Sequence, residues 1–394
     1  MISLFTLSIL SRFFFFCLLQ LSYFLPLFDT SPLLLSISTP LRPLLRWDTF
    51  HFLHIASDGY VFEHEWAFLP SLPLIMRTLA SGFAPITGSF KPSNMLLSGV
   101  LAVLASDTTQ TLYDLSLHHL RSPELSLVAT LLSLIPTSPV TLFFAPYNEP
   151  FFTFFSYHGM LYCTQQKWFL ASASFALAGT FRSNGIFLSG FILWGLVISP
   201  FLNGIMPTSR MLLKSIFLTA IVIGPFVIYH ITTYSIFCTT GTSPVPEWCS
   251  RIPPSLYTYV QSTYWNSGFL LYWTLGQLPN FVIATPTILL LSAFSFHHLR
   301  NTSLINPKNP KTDNPFGNPT LTPHVIHAII FTCILVFASH TQIILRVAAS
   351  MPIVYWAAAW LLLEYPKLGR IWVMWSVLWG IISTILWAAF LPPA

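Results

Sequence analysis

From Ile371 to Leu391 the chain runs for 21 residues without one charged side chain, and Leu212 to Phe237 is apolar over a similar length with Lys214 as its single charge. Runs of roughly 20 apolar residues match the thickness of about 30 Å of hydrocarbon. No water is at hand there to satisfy backbone amides, so these segments are expected to be helices. Composition extends the argument to the whole chain. Only 7% of the residues are charged while 54% are hydrophobic and 16% aromatic, against about 25% charged in a soluble domain. A soluble fold is excluded. The net charge of +5 comes from Lys and Arg scattered between apolar runs rather than gathered in a patch, which argues against nucleic acid as a partner.

About eleven spans are expected, near residues 12–28, 93–113, 125–143, 149–164, 168–181, 184–202, 211–236, 281–298, 324–344, 347–363 and 371–390. The first is read as a retained span, because no small-residue cleavage site follows it. With a cytosolic N-terminus, alternation puts Arg12, Arg121, Lys167, Arg210, Lys214, Arg300, Lys308, Lys311, Lys367 and Arg370 on the cytosolic side, ten of the seventeen basic residues. That is the bias expected of cytoplasmic loops. Arg42, Arg46, Arg77, Lys91, Arg182, Arg251 and Arg346 then fall on the lumenal side, where topology gives no reason for them. The polar segments divide into lumenal loops at 29–92 and 237–280 and a cytosolic loop at 299–323, within two expected membrane modules, 1–236 and 237–394. Cys238 and Cys249 flank Gly241, Pro244 and Pro246 in the second lumenal loop, and that compartment permits a disulfide between them.

With twelve carboxylates in the chain, each is informative. The densest group follows Arg46-Trp47-Asp48 through His51, His54 and Asp58 to Glu63-His64-Glu65. On a helix Asp48 and His51 share one face at i, i+3. A zinc site from His51, His54, His64 and Glu65 is the rival reading, but no spacing forms His-Glu-x-x-His. The second group is the turn Ala145-Pro146-Tyr147-Asn148-Glu149-Pro150, and the third is Phe181-Arg182-Ser183-Asn184-Gly185, which interrupts an apolar stretch. Arginine at a membrane surface needs an anionic partner, and its planar fork suits phosphate or carboxylate. An ion pair of Arg182 with Glu149 that merely ties two helices is the competing reading. Arg346, after His340-Thr341-Gln342, raises the same question, with a snorkelling anchor as its alternative. Carboxylates and arginines gathered on one side suit a phosphate ester as substrate. No Walker A loop or dinucleotide fingerprint points to a soluble nucleotide donor.

These segments resemble the phosphatidylinositol-glycan class V family of GPI mannosyltransferases. The likeness rests on Arg46-Trp47-Asp48 through Leu53, Gly59-Tyr60, Glu63 through Pro70, Ala145 through Glu149, and Phe181 through Gly185. It continues through Tyr259 to Ser262, Tyr264-Trp265-Asn266, Tyr272-Trp273 and Gln342 to Pro352. The resemblance implies an all-helical, GT-C-like bundle in the endoplasmic reticulum membrane, multi-pass, with its active site facing the lumen. It implies transfer of the second mannose, α-1,6, from dolichyl phosphate mannose to a mannosyl-glucosaminyl-phosphatidylinositol lipid. No cofactor and no metal are implied, and a small endoplasmic-reticulum membrane subunit is a conceivable partner. By position the catalytic carboxylate is Asp48, with Arg46, Trp47, His51, Glu63, His64, Glu65, Tyr147, Glu149, Arg182, Asn184 and Arg346 as the substrate-binding set.

Three other functions compete: a polyprenyl-phosphate-sugar transferase with a different acceptor, a multi-span transporter, and a non-catalytic subunit. A transporter would place ionisable residues at mid-bilayer on facing helices. The alternation above also makes a prediction about Asn301-Thr302-Ser303, which matches the glycosylation pattern but falls on the cytosolic side beside Arg300. Asn301 should carry no glycan in protein from its native membrane. A glycosidase-sensitive mass on the peptide containing it would reverse the orientation.

Overall fold

The computed structural model describes residues 3–87, 91–239, 245–302 and 314–392, with the side chains of 83–87 left out; Ser303, Lys308 and Lys311 lie outside the described residues. Among those described, every regular element is helical. Seven helices are long and apolar enough to cross a membrane: Leu4–Ser22, Pro92–Leu120, Ser183–Leu202, Ser209–Thr239, Leu275–Asn301, Pro319–Phe337 and Pro366–Ala388. An eighth is counted if Thr341–Ser350 and Ile353–Glu364, which meet at 92°, form one broken span.

The expected count of about eleven is not reached, and the difference lies mainly between residues 123 and 179. Pro123–Ser133 has 11 residues, Asn148–Thr164 has 17 and Trp168–Gly179 has 12. At 1.5 Å per residue an 11-residue helix is only about 17 Å long. Apolar composition alone cannot separate such helices from spans. Each packs one face against neighbouring helices, in a core that draws on Leu132, Phe152, Phe175, Phe191, Leu218, Phe294 and Trp356, while Leu127, Leu131, Phe169 and Leu177 stay exposed. Within the bundle, Arg12 pairs with Asp107 at 3.4 Å, so this arginine, expected only as a topology signal, also has a partner inside.

The segment 29–92 is folded on the bundle rather than loose. Its helices Asp48–Asp58 and Ser71–Thr87 contribute Phe52, Leu53, Leu72 and Met76 to a core shared with Leu96, Phe151 and Phe181. Arg46 is the clasp. Its fully buried guanidinium donates to the carbonyls of Arg42 at 2.9 Å, Leu45 at 2.8 Å and Ala388 at 3.1 Å. Trp387 Nε1 returns a bond to Pro43 O at 2.9 Å. The start of the Asp48 helix is thereby fixed to the end of the last long helix.

The second polar segment closes over the first. A disulfide joins Cys238 to Cys249, and Trp248, Leu256 and Val260 pack with Trp66 and Phe237 beside it. The Tyr229 hydroxyl donates to Trp66 O. This docking carries the helix Leu256–Trp265 to the rim of the Asp48 region.

Helix directions sort the charges between two ends. Arg210 starts a helix whose Tyr229 meets Trp66, Arg300 ends one whose Asn280 bonds Tyr272, and Lys367 and Arg370 start one whose Ala388 meets Arg46. Each therefore stands roughly 25–30 Å along its helix from the Asp48 end.

Candidate active site

The Asp48 helix begins at a strained turn. Trp47, the residue before it, has φ +50°, a left-handed conformation that is an outlier for a bulky side chain and costs about 1–3 kcal/mol. Three contacts hold it: the buried Arg46 behind it, the Trp47 ring edge-on to Phe390 at 5.2 Å, and the Asp48 N–H donating to the Tyr147 hydroxyl at 3.0 Å. Asp48 thus occupies the first turn of its helix, where exposed N–H groups favour a negative charge.

Tyr147-Asn148-Glu149 opens a second helix, Asn148–Thr164. Pro150 falls in its first turn, where the missing N–H has no intrahelical role. Arg182 follows Trp168–Gly179 on a turn packed so closely that a Cβ on Gly185 would lie 2.5 Å from the Gly179 Cα. Arg346 lies where the last apolar helices bend, between Thr341 and Ser350.

These four elements bring two carboxylates and two guanidiniums together. Glu149 Oε1 accepts from Arg182 Nη1 at 2.6 Å and forms an ion pair with Arg346, whose Nε lies 3.1 Å away outside hydrogen-bond geometry, and Arg346 Nη1 stands 3.5 Å from Asp48 Oδ2. The Arg346 guanidinium lies over the Tyr147 ring at 5.5 Å. The group is formally neutral, yet its members differ in access. The Glu149 side chain is 3% exposed and held by both arginines, whereas that of Asp48 is 35% exposed. Among the described residues the Asp48 carboxylate accepts no hydrogen bond, which leaves it the freer base. Burial, with Asp48 nearby, pushes the Tyr147 phenol up, so it stays protonated and polar without adding charge.

The cluster lines a cavity of about 430 Å³ whose wall includes Trp47, Asp48, Tyr147, Glu149, Arg182 and Arg346. Of the expected binding residues, Arg46, His51, Glu63, His64, Glu65 and Asn184 are not on that wall. Arg46 is spent on backbone carbonyls, as described above. Glu65 is buried and accepts from the Val61 and Phe62 N–H groups at 2.9 and 3.0 Å, with His54 Nδ1 at 2.5 Å. Burial raises its pKa, but these bonds outweigh burial and hold it below the ordinary range. His51 stacks on Phe68 at 4.8 Å and meets His64 edge-on at 5.2 Å, with its pKa lowered by burial. Glu63 accepts from the Tyr264 hydroxyl at 2.9 Å. Glu63 and His64 thus touch Tyr264 of the second polar segment, while Glu65 and His51 tie the first segment to itself and Arg46 ties it to the last long helix. Among the described residues no group of three His, Cys, Asp or Glu side chains is placed to hold a metal ion.

The wall also holds residues that sequence reasoning did not assign: Asn148, Gln261, Trp265, His340 and Gln342. Gln342 Oε1 accepts from the Tyr272 hydroxyl at 2.7 Å, and His340 Nε2 bonds Trp265 O at 2.5 Å, its pKa lowered by burial. Polar side chains just before a break in an apolar helix were the available signal. Trp47 Nε1, Ser138 Oγ, Asn148 Oδ1 and Arg182 Nε are buried on this wall without a protein partner.

A family model described as mannosyltransferase (PIG-V) matches residues 5–394. GPI mannosyltransferase 2 of Cryptococcus neoformans var. neoformans serotype D is 34% identical over 95% of this chain and 94% of its own length. GPI alpha-1,6-mannosyltransferase 2 of Mus musculus is 31% identical over 83% of this chain and 74% of its own, and that of Homo sapiens 30% over the same shares. Among solved structures, the Archaeoglobus fulgidus oligosaccharyltransferase aligns over 98% of this chain and 53% of that one, with 11% identity and a TM-score of 0.44.

The different burial of the two carboxylates predicts different phenotypes. Removing one partner of a buried ion pair costs about 3–5 kcal/mol, so Glu149→Gln should unfold at a clearly lower temperature in detergent. Adding Arg182→Gln should restore part of the loss. Equal melting of Glu149→Gln and the unaltered protein would show that the pair does not hold these helices.

Proposed function

The chain belongs to the mannosyltransferase (PIG-V) family, and we propose that the Asp48 cavity transfers mannose from dolichyl phosphate mannose to the first mannose of a GPI lipid intermediate. The protein is a membrane-embedded glycosyltransferase of GPI-anchor biosynthesis. The α-1,6 linkage follows the relatives described as GPI alpha-1,6-mannosyltransferase 2, and the mechanism, direct displacement with inversion of a β-linked phosphodiester, is supported chiefly by one observation. Asp48 is an accessible carboxylate beside Arg346, and one buried glutamate holds both Arg346 and Arg182.

In this reading the acceptor 6-hydroxyl attacks mannose C1, the new C–O bond forms, and the bond from C1 to the phosphate oxygen breaks. Asp48 takes the hydroxyl proton. The phosphate goes from one negative charge to two as the polyprenyl phosphate departs. Once Asp48 is protonated, the four-residue cluster goes from neutral to +1, so its positive charge appears while the leaving group becomes more negative. Arg182 and Arg346 supply that charge from fixed positions, which needs no reorganisation at the moment of reaction. The unpartnered Trp47 Nε1 and Ser138 Oγ can donate to sugar or phosphate oxygens, and Asn148 Oδ1 can accept from a sugar hydroxyl. No cofactor enters this scheme.

The bundle is read as a GT-C-like fold in the endoplasmic reticulum membrane with the cavity facing the lumen. Supporting that orientation, Arg210, Arg300, Lys367 and Arg370 stand at the end opposite Asp48, as cytoplasmic basic residues do. A small membrane subunit can be accommodated on the exposed apolar flanks.

Asp48→Asn keeps size and hydrogen bonding while removing the base. Purified Asp48→Asn should lose about two to four orders of magnitude in mannosyl transfer with an unchanged melting temperature. Transfer near the unaltered rate would remove Asp48 from this role.

A further inference from the structure

Beside the charged cavity runs a second, apolar one of about 480 Å³, between the helices Ser71–Thr87, Pro92–Ala105, Asn148–Thr164 and Trp168–Gly179. Aliphatic and phenylalanine side chains line it, and the hydroxyls of Ser106 and Thr180 are turned to their own backbone, on Val103 O and Leu177 O at 2.8 and 2.7 Å. Its outer edge is formed by the exposed side chains of Leu74, Leu79 and Leu177. Its inner wall is a stack of phenylalanines, with Phe151 and Phe155 lying 5.0 and 5.9 Å from Phe181.

Phe181 lines both cavities. The next residue is Arg182, and Phe151 stands two places after Glu149, so the wall of the groove and the ion pair of the site are built by the same two turns. From this continuity we infer that the groove holds the polyprenyl chain of the donor lipid, with its phosphate at Arg182 and its chain passing Phe181 to the outer edge. The inference rests on the donor reading given above.

The chemistry of the two substrates favours this occupant. In a polyprenyl phosphate mannose the hydrocarbon begins one phosphate away from the reacting carbon. In the acceptor, glucosamine, inositol and a phosphate separate the hydrocarbon from the mannose that attacks. With a phosphate beside Arg182 and a chain past the adjoining phenylalanine, only the donor still has its reacting sugar carbon at the charged cavity; the acceptor's mannose would be carried away by the intervening inositol and glucosamine. A groove without charge, whose hydroxyls are those of Ser71 and the backbone-bonded Ser106 and Thr180, also suits a single isoprenoid chain, whose binding is non-directional burial of apolar surface.

The test narrows the groove at Ala102 and Ala105, which are outside the charged cavity. Ala102→Phe and Ala105→Phe are assayed in purified full-length protein with dolichyl phosphate mannose and with a short-chain isoprenyl phosphate mannose, at varied acceptor. The expected result is a KM for the long-chain donor raised about tenfold, with the short-chain and acceptor KM values within about twofold of the unaltered protein. An unchanged long-chain KM, or a raised acceptor KM instead, overturns the assignment of the groove. Failure of the unaltered protein to transfer from either donor overturns the donor reading itself, and the groove assignment with it. Should the variants not fold, photolabelling of unaltered protein with a diazirine-bearing polyprenyl phosphate decides: label on peptides within 71–106 or 148–181 supports the groove, and label only elsewhere refutes it.

Discussion

One carboxylate oxygen holds the site together. Glu149 Oε1 takes both Arg182 and Arg346, and through Arg346 the arrangement reaches Asp48. A buried carboxylate with one arginine would form a closed pair. With two it leaves one positive charge in excess, which a third group or a substrate must balance. Asp48 does so in the resting arrangement, from a more exposed position. The four remote segments that carry these side chains must therefore pack correctly before the cluster exists, and much of the fold serves that end. Arg46 fixes the Asp48 helix to the last long helix, and Gly185 permits the tight turn that carries Arg182.

The same economy explains the polar segments. Membrane helices give rigid walls but little polar surface, so the cavity's polar lining comes from the helix ends and from 29–92 and 245–277. Tyr264 on Glu63, Tyr229 on Trp66 and the Cys238–Cys249 disulfide lock the second segment onto the first. The residues between Tyr60 and Phe68 consequently act as a hinge-free brace, with Trp66 stacked on Tyr60 at 4.3 Å.

The helical, membrane-embedded character was legible because it follows from long uncharged runs, whatever the tertiary packing. The polar side chains that interrupt those runs were legible for the same reason: Asp48, Glu149, Arg182 and Arg346 are costly in an apolar setting unless they meet something. What they meet was only partly legible. The pairing of Arg182 with Glu149 was one of the two readings open from sequence, and that contact is present, but nothing local to Arg346 shows that it shares the same glutamate. Arg46 and Glu65 look alike in sequence to the residues that line the cavity, yet their polar groups are bonded to backbone partners. The number of spans was not legible, because an apolar segment of 11 to 17 residues reads the same whether it faces lipid or lies inside the bundle. Gln261 and Trp265 reach the cavity only through the docking of a whole loop.

In the proposed mechanism Asp48 receives the acceptor's proton while the two arginines face the departing phosphate. A structure of the protein in lipid, with an unreactive donor analogue and the acceptor both bound, decides this. The expected result has the acceptor 6-hydroxyl within about 3 Å of the Asp48 carboxylate and the donor phosphate against Arg182 or Arg346. An acceptor hydroxyl bonded to a different carboxylate, with Asp48 turned away from both substrates, would contradict it.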